Sequence, residues 1–199
     1  MVESEGPARP RGLGISLIAG GALGLLAAAA LIVEKIQKLE HPAAQLGCDI
    51  SVLVGCSTSL GSQQGALLGI PNPVLGIVFW TAVMTVGVVV LAVTLPRWIW
   101  WALAAGMTGA FALVVWFIAQ SIYVLGVLCP WCMLTWAVTI PLFLLVAGHV
   151  ARSGVLPVGP VVRRGADVLY RWVFIITLVA ALVIALLAQL RLGLFSYLG

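Results

Sequence analysis

Apolar residues form long runs along this chain, and charged residues stand almost only between those runs. A helix needs about 20 predominantly apolar residues to cross the hydrocarbon core of a bilayer. Five runs are long enough, at residues 13–33, 74–95, 98–121, 127–150 and 172–190. Pro141 stands inside the fourth run, where it predicts a kink. The pattern predicts an all-α integral membrane protein with five transmembrane helices.

The first run contains four consecutive alanines, at residues 27–30, a composition typical of a signal-peptide cleavage region. Its apolar core is, however, longer than the apolar region of a usual signal peptide. We therefore expect the first run to be retained as a transmembrane helix, preceded by a short cytoplasmic tail at residues 1–13.

The longest polar segment, residues 34–72, separates the first two runs and holds two of the four cysteines. Its five glycines predict a flexible loop, because glycine restricts the backbone least. Leu67 and Leu68 near its end indicate that the second half of the loop returns to the membrane surface. A second polar segment, residues 151–171, is rich in arginine, and we expect a basic cytoplasmic loop there. Residues 172–199 would then form the fifth helix and a short outer tail.

The chain carries 10 Lys and Arg against 6 Asp and Glu, which gives a net charge of +4. These basic residues flank the apolar runs and form no patch interleaved with aromatic residues, which argues against a nucleic-acid partner. They are better explained as topology signals, because cytoplasmic loops carry the excess of Lys and Arg. A cytoplasmic N-terminus leaves only three basic residues outside, Lys35, Lys38 and Arg191. The loop at residues 34–72 then faces outside, in an oxidising compartment.

The fourth run opens with a Cys-x-x-Cys pair, Cys129 and Cys132, with Pro130 between them. Proline is favoured at the first position of a helix, so we expect Cys129 at the N-cap and Cys132 at the third helical position. Free N–H groups and the positive end of the helix dipole favour a thiolate at Cys129. This pair lies at the outer surface of the membrane, on the same side as Cys48 and Cys56.

Two cysteine pairs at one membrane surface can pass electrons by thiol–disulfide exchange, provided that they approach to bonding distance. A pair in a flexible loop can move, whereas a pair on a helix cannot, so we expect a mobile shuttle and a fixed centre. The fixed centre borders the lipid, where a membrane-soluble two-electron acceptor such as a quinone can reach it. The sequence contains no visible haem, flavin or nucleotide motif.

The same cysteines allow simpler interpretations. Cys48 and Cys56 could form a static disulfide. Cys129 and Cys132 could be buried small apolar residues, and the sequence leaves three disulfide connectivities open. A four-cysteine zinc site would favour two Cys-x-x-Cys pairs, which the eight-residue offset between Cys48 and Cys56 does not supply. Two hypotheses therefore remain open: a redox enzyme, and a non-catalytic membrane protein with structural disulfides.

Four short motifs are weak alone and specific in combination: Cys48-Asp49 with Cys56-Ser57, Ser62 six residues beyond Cys56, Pro71-Asn72-Pro73-x-x-Gly76, and Cys129-Pro130-Trp131-Cys132. In their order and topology the chain resembles the vitamin K epoxide reductase family, in its bacterial disulfide-forming branch. The resemblance covers about residues 14–150, which we expect to form one catalytic domain. It implies a transmembrane four-helix bundle around a quinone, capped by the outer loop at residues 34–72.

The resemblance also implies roles for the cysteines and for one serine. Cys132 would be the thiolate next to the quinone, and Cys129, its resolving partner, would pair transiently with Cys56. Cys48 would exchange with the thiols of the substrate, and Ser62 would support the loop.

The implied quinone contacts begin with Asn72, whose amide would donate a hydrogen bond to a quinone oxygen. A simpler interpretation makes Asn72 a turn residue. Leu67 and Leu68 would cover the quinone. Trp136 takes the position, four residues beyond Cys132, at which the animal enzymes have a tyrosine, and its indole N–H donates with a different reach. The quinone would be of the menaquinone, ubiquinone or vitamin K type.

These features predict a quinone-dependent thiol–disulfide oxidoreductase that generates disulfides de novo in the cell membrane, with its active site facing outside. Some bacterial members append a thioredoxin-like domain, and this chain ends at Gly199. We therefore expect a separate exported thioredoxin-like (DsbA-like) partner. The DsbB type of quinone-coupled oxidase carries its Cys-x-x-Cys in the first outer loop, whereas here the motif comes last. A reductase acting on vitamin K is the remaining alternative, because the direction depends on the partner's potential.

Overall fold

The structure, a computed structural model, describes residues 10–43, 45–67, 69–155 and 158–193. Five of the helices in these residues are long and apolar enough to cross a membrane: α1 (Arg11–Glu40), α3 (Asn72–Ala92), α4 (Arg97–Ala119), α5 (Pro130–Arg152) and α7 (Val173–Leu192). The shorter elements are the helices α2 (Ser57–Gly61) and α6 (Pro160–Arg171) and the antiparallel strands β1 (Ala66–Leu67) and β2 (Ile70–Pro71). The predicted all-α membrane fold is confirmed. Of the expected tails, residues 1–9 and 194–199 lie outside the described residues.

Four of the long helices form one bundle. α1 packs along α3 and against α5, and α4 packs against α5. Each helix contributes fully buried apolar residues to a common core, among them Leu17, Val83, Met107 and Val146. α7 lies against α5 and the end of α4, outside this bundle. Most of its large apolar side chains are exposed, as suits a helix that faces lipid.

Glycines bring α1 and α3 into close contact. A Cβ atom on Gly87 would lie 2.9 Å from the Cβ of Leu17 and 3.0 Å from the carbonyl oxygen of Gly14. A Cβ on Gly24 would lie 2.2 Å from the ring of Trp80. Small residues permit such an approach between membrane helices, whose association depends on tight packing.

α1 is longer than the apolar run that predicts it. The helix continues through Glu34 and Lys35 to Glu40, whereas the expected loop began at residue 34. Glu, Lys and Gln are good helix formers, so the helix leaves the membrane without ending. Lys35 then reaches the following segment, where its ammonium group donates to the carbonyl oxygen of Leu60 at 2.7 Å.

The end of α4 and the start of α5 both lie beside the loop that follows α1. α4 widens into a π-helical turn, Gln120–Leu125, which ends at Gly126 in the left-handed conformation (φ 67°). α5 begins at Pro130 with Cys129 as its N-cap, as predicted. Pro141 lies inside α5, and the kink there stays a prediction.

The segment expected to be a basic loop is largely helical. Gly159 is the N-cap of α6 and Pro160 takes its first position, where proline is favoured. Ala166 is buried, and α6 packs against α5. The Arg152 guanidinium lies 3.8 Å from the centre of the Tyr170 ring, which fastens α6 to the end of α5.

Candidate redox site

The structure brings both predicted cysteine pairs together. Cys48 and Cys56 form a disulfide in the loop after α1, and Cys129 and Cys132 are free thiols. The Cys129 Sγ lies 3.3 Å from the Cys56 Sγ, and the exposed fraction of both residues is 0%. Reacting atoms at about 3–3.5 Å are in position for attack. A Cys129 thiolate can therefore exchange with the disulfide without a large movement.

The first turn of α5 lowers the pKa of the Cys129 thiol. Cys129 is the N-cap of α5, and the backbone N–H groups of Trp131 and Cys132 lie close enough to its sulfur to favour the thiolate. The hydrogen bond from the Cys132 thiol lowers the pKa of Cys129 most, and these N–H groups lower it further. Burial and the charge of Asp49 act in the opposite direction but do not prevail. Cys129 is therefore the better nucleophile for exchange at the loop disulfide.

Asp49 holds the loop disulfide in place. Its carboxylate accepts hydrogen bonds from the backbone N–H groups of Cys56 at 2.8 Å, Ser57 at 3.0 Å and Leu46 at 3.2 Å. The Ser57 hydroxyl donates to the same carboxylate. Burial alone would raise the pKa of Asp49, but these hydrogen bonds, with that of the Ser57 hydroxyl foremost, lower it. The carboxylate thus stays ionised and fixes the backbone on both sides of Cys56.

The loop is also tied to the chain before α5. Val54 and Leu128 form a parallel bridge, in which Gly55 N–H donates to the Leu128 carbonyl at 3.0 Å and Leu128 N–H to the Leu53 carbonyl at 2.9 Å. A Cβ on Gly55 would lie 2.6 Å from Asp49 Oδ1, so this glycine permits a close approach. In the described state this part of the loop is held against the chain before α5, and its swinging motion stays a prediction.

A cavity of about 450 Å³ lies under the loop, between α1, α3, α4 and α5. We call residues 57–67 and 69–71 the cap, because they close the end of this cavity that lies under the loop. The predicted residues Cys132, Asn72, Ser62, Trp136 and Leu67 all line it, whereas Leu68 lies outside the described residues. Most of the other lining side chains are apolar. An apolar cavity with a few placed polar groups is typical of a small-molecule site.

Asn72 and Ser62 both build the cap. The Asn72 amide nitrogen donates to the Gln64 carbonyl at 2.5 Å, and its oxygen accepts from Leu67 N–H at 2.9 Å. The Ser62 hydroxyl donates to the Ser59 carbonyl at 2.8 Å and accepts from Gly65 N–H at 3.2 Å. An amide nitrogen has two hydrogens, and the bond to Gln64 uses one of them. The turn interpretation and the ligand interpretation of Asn72 are therefore compatible.

Comparison with known proteins decides the family. The model of the vitamin K epoxide reductase family matches residues 15–147, about two thirds of the chain. The chain belongs to the vitamin K epoxide reductase family. No curated protein matches it significantly. Membership implies oxidoreductase activity on disulfides and quinone-type substrates in a multi-pass membrane protein, and the match covers almost the whole of residues 14–150, where the motifs predicted it.

Several residues that line the cavity are not predicted by the sequence. Ser121, Thr135 and Thr139 line the cavity, and so does Gln64, whose side-chain amide donates to the Gln120 side chain at 3.2 Å. Thr135 and Thr139 follow Cys132 by three and seven residues, so helical spacing alone would have placed them on its face. No such signal marks Ser121, because it lies on the π-helical turn.

The zinc alternative does not fit the cysteine geometry of this vitamin K epoxide reductase homologue. Zinc binds thiolates, and two of the four cysteines, Cys48 and Cys56, are joined in a disulfide. Within the described residues there is no group of three or more His, Cys, Asp or Glu side chains placed to hold a metal ion. The arrangement suits sulfur exchange instead.

Proposed function

We propose that this member of the vitamin K epoxide reductase family is a quinone-dependent oxidase that makes disulfide bonds de novo. One observation carries the proposal: a free thiol, Cys129, lies 3.3 Å from Cys56 of the loop disulfide, and its partner Cys132 lines an apolar cavity. A static structural disulfide needs neither a thiol in attacking position nor a cavity beside it. The arrangement supports a path from the loop surface, through both pairs, to a lipid-soluble acceptor.

The electron path has two exchange reactions. First, a substrate thiolate attacks Cys48, Cys56 leaves as a thiolate, and the second substrate thiol releases the substrate disulfide. Next, Cys56 attacks Cys129 in an oxidised Cys129–Cys132 pair, and Cys132 leaves. Cys48 then attacks Cys56 and releases Cys129, so the loop disulfide is restored and the centre pair is reduced. The described state, with a loop disulfide and free centre thiols, matches the product of this internal transfer.

The residues around the cavity fit a quinone. The Cys129–Cys132 dithiol would give its two electrons and two protons to a quinone held there, which would supply the two-electron acceptor chemistry. Cys132 is the cysteine that lines the cavity, and the second amide hydrogen of Asn72 is available to an acceptor oxygen. Leu67 covers the cavity from outside and Trp136 lines its α5 wall. Excluding water strengthens a hydrogen bond to a charged oxygen. The acceptor would be of the menaquinone, ubiquinone or vitamin K type.

The substrate would be a separate exported thioredoxin-like (DsbA-like) protein, as in the bacterial branch of the family. Cys48 suits the exchange with it, because Cys56 is occupied by the contact with Cys129. The exposed fraction of Cys48 is only 6%, so the partner must displace part of the loop to reach its sulfur. Ile50 and Val52 beside it are strongly exposed and offer an apolar surface next to the disulfide.

The distribution of basic residues supports a cell-membrane protein with a cytoplasmic N-terminus and both cysteine pairs outside. Single cysteines at Gln45 and Val158, in a cysteine-free background, test this orientation with a membrane-impermeant thiol reagent. We expect labelling of position 45 from outside and of position 158 only after lysis. Labelling of both positions from one side would overturn the orientation.

Quinone reduction by a reduced thioredoxin-like protein tests the function itself. We expect the purified protein to form one quinol for each substrate disulfide, and a variant with all four cysteines replaced by serine to form none. A wild-type protein that does not reduce quinone, with a loop disulfide that never opens, would support the structural-disulfide alternative. Net flow from quinol to disulfide would instead favour the reductase direction, which the partner's potential determines.

A further inference from the structure

We propose that Ser121 donates a second hydrogen bond to the quinone, at the carbonyl oxygen opposite the one that Asn72 serves. This inference rests on the proposed function, because it needs a quinone in the cavity. A quinone has two carbonyl oxygens on opposite sides of its ring, and both gain negative charge as electrons arrive. Preorganised donors at both oxygens stabilise that charge better than a donor at one.

Ser121 is a buried polar residue without a protein partner for its hydroxyl. Its exposed fraction is 6%, and it lines the cavity. Within the part of the chain that the structure describes, its side chain makes no hydrogen bond. Thr139, which is also buried, donates to the Thr135 carbonyl at 2.8 Å. Buried polar groups are nearly always paired, so an unpaired hydroxyl at a cavity wall indicates a ligand.

The other unpaired hydroxyl of the cavity region belongs to Ser59 in α2. The Ser59 oxygen is enclosed by protein atoms and has almost no accessible surface. Among the described side chains, the Ser121 oxygen is also unpaired, but it is not fully enclosed by protein atoms. Ser121 is therefore the hydroxyl that a ligand in the cavity can reach.

The local backbone explains why Ser121 lies at the cavity. It belongs to the π-helical turn Gln120–Leu125, which α2 contacts from the cap side. Ile122, the next residue, is also buried, with an exposed fraction of 1%. π-helical turns are rare and occur frequently at functional sites. The turn thus keeps two successive side chains inside the protein at the outer end of the cavity.

A hydrogen-bonded connection runs from Asn72 through Gln64 to Gln120, the residue that precedes Ser121. Asn72 donates to the backbone carbonyl of Gln64, and the Gln64 side chain donates to Gln120, the residue before Ser121. Asn72 begins α3 and Ser121 follows α4, so Gln64 bridges two different walls of the cavity. Donors on different walls suit a ligand with acceptors on opposite sides.

Trp136 is the competing donor for the second oxygen. It lines the same cavity from α5, and its exposed fraction is 5%. Its position corresponds to the tyrosine of the animal enzymes. A test of Ser121 must therefore include Trp136→Phe, which removes the indole N–H.

The variants for the test are Ser121→Ala, which removes the hydroxyl at nearly constant volume, and Ser121→Thr, which restores one. Thr139→Val is the matched control, because its hydroxyl lines the same cavity but is already bonded to a backbone carbonyl. Each variant is titrated in detergent with a short-chain ubiquinone and with a short-chain menaquinone. Infrared difference spectra with carbonyl-labelled quinone then report the hydrogen bonding of each oxygen.

We expect Ser121→Ala to weaken quinone binding about tenfold, which corresponds to the loss of one hydrogen bond. One carbonyl band should move to higher frequency while the other stays, and Ser121→Thr should reverse both changes. Unchanged bands and affinity in a folded Ser121→Ala variant would overturn the proposal, and so would a band that moves only in Trp136→Phe. A wild-type protein that binds neither quinone would overturn the proposed function itself, which separates the two failures.

Discussion

Cys129 and Cys132 take their geometry from the first turn of one helix, whereas Cys48 and Cys56 take theirs from contacts between separate segments. Pro130 and the free N–H groups of α5 fix the centre pair within four residues of sequence. The loop pair depends on the carboxylate of Asp49 and on the bridge to Leu128. A locally encoded pair stays in place when its surroundings change. A pair held by distant contacts can be released by a partner that disturbs them.

This difference suits the proposed roles. The centre pair must keep Cys132 at the cavity in every turnover. The loop pair must accept a protein substrate at Cys48, which is almost fully buried in the described state. Hydrogen bonds to a carboxylate at a partly exposed site can be broken and remade more readily than a helix start. We therefore infer that the substrate opens the loop by displacing these contacts.

Replacing single cysteines should have the largest effect, because it blocks disulfide exchange between the two cysteine pairs. In Cys48→Ser, Cys56 attacks the Cys129–Cys132 disulfide, and Cys48 is absent to complete the transfer to the loop. In Cys132→Ser, Cys129 attacks Cys56 of the loop disulfide and releases Cys48, and Cys132 is absent to carry the exchange further. The Cys56–Cys129 disulfide should accumulate in both variants, and quinone reduction by substrate thiols should stop. Proteolysis under non-reducing conditions and mass spectrometry identify the linked peptides. Cys129→Ser is the control, and it should show no such linkage. A different linkage in both trapped variants would refute the assignment of roles.

Loss of the Asn72 side chain should affect the centre pair and spare the loop pair. A hydrogen bond to a charge-developing oxygen contributes about 1.5–3 kcal/mol, so Asn72→Ala should slow quinone reduction about ten- to hundredfold. Exchange at Cys48 and Cys56 should change little. Stopped-flow measurement of quinone absorbance and of substrate oxidation separates the two half-reactions.

The same substitution also loosens the cap, because the Asn72 amide binds Gln64 and Leu67. Gln64→Ala controls for this effect, since it removes the bond to Gln120 and leaves the Asn72 bond to the backbone intact. Asn72→Asp should be slower than Asn72→Ala, because a carboxylate repels the charge that develops on the quinone. Equal rates in wild type and a folded Asn72→Ala variant would reduce Asn72 to a turn residue.

The membrane helices and the centre pair were predictable because their signals are local. Apolar runs of bilayer length identify the spans, and Pro130 identifies the start of α5. The end of α1 was misplaced because charged residues were assumed to end the helix, although Glu34 and Lys35 favour helix once outside lipid. The sequence predicts a loop in place of α6, because Gly154, Pro157 and Pro160 are typical of one. Gly159 and Pro160 instead form the start of the helix.

The loop and part of the cavity could not be predicted, because their geometry comes from contacts between segments. Gly55 suggested flexibility, but its missing Cβ makes room for Asp49. The face of α5 that carries Cys132 and Thr139 follows from helical spacing. Ser121 lies in a π-helical turn, which no residue pattern predicts. Only the structure therefore shows that Ser121 lines the cavity.

Neutralising Asp49 should affect the loop pair and spare the centre pair. Asp49→Asn weakens hydrogen bonds that a charged acceptor makes strong, so we expect a loss of about 2 kcal/mol of stability, or roughly 4–8 °C in Tm. The wild-type folded state lowers the pKa of Asp49, so this contribution is present above the pKa of the unfolded chain. It is lost as pH falls through the lower folded pKa.

Thermal unfolding in detergent measures this dependence. A range from about pH 3 to about pH 7 covers the usual carboxyl pKa of about 4. The Asp49→Asn curve should lack the acid decline that Asp49 causes in the wild type. Ser57→Ala is a graded control, because it removes one of the four donors and leaves the charge. An Asp49→Asn protein with wild-type stability and the same acid decline would show that Asp49 does not hold the loop.

The smallest effect should come from Lys35, which connects α1 to the cap. Its ammonium group donates to the Leu60 carbonyl at 2.7 Å, at the end of α2. Lys35→Met keeps the apolar stem and removes the donor, so we expect a loss of about 1 kcal/mol and faster reduction of the loop disulfide by a small thiol. Ser16→Ala is the matched control on α1, since its hydroxyl also donates to a backbone carbonyl but far from the cap. Lys35→Arg should retain most of the wild-type behaviour. Equal reduction rates in Lys35→Met and wild type would mean that α1 does not help to hold the cap.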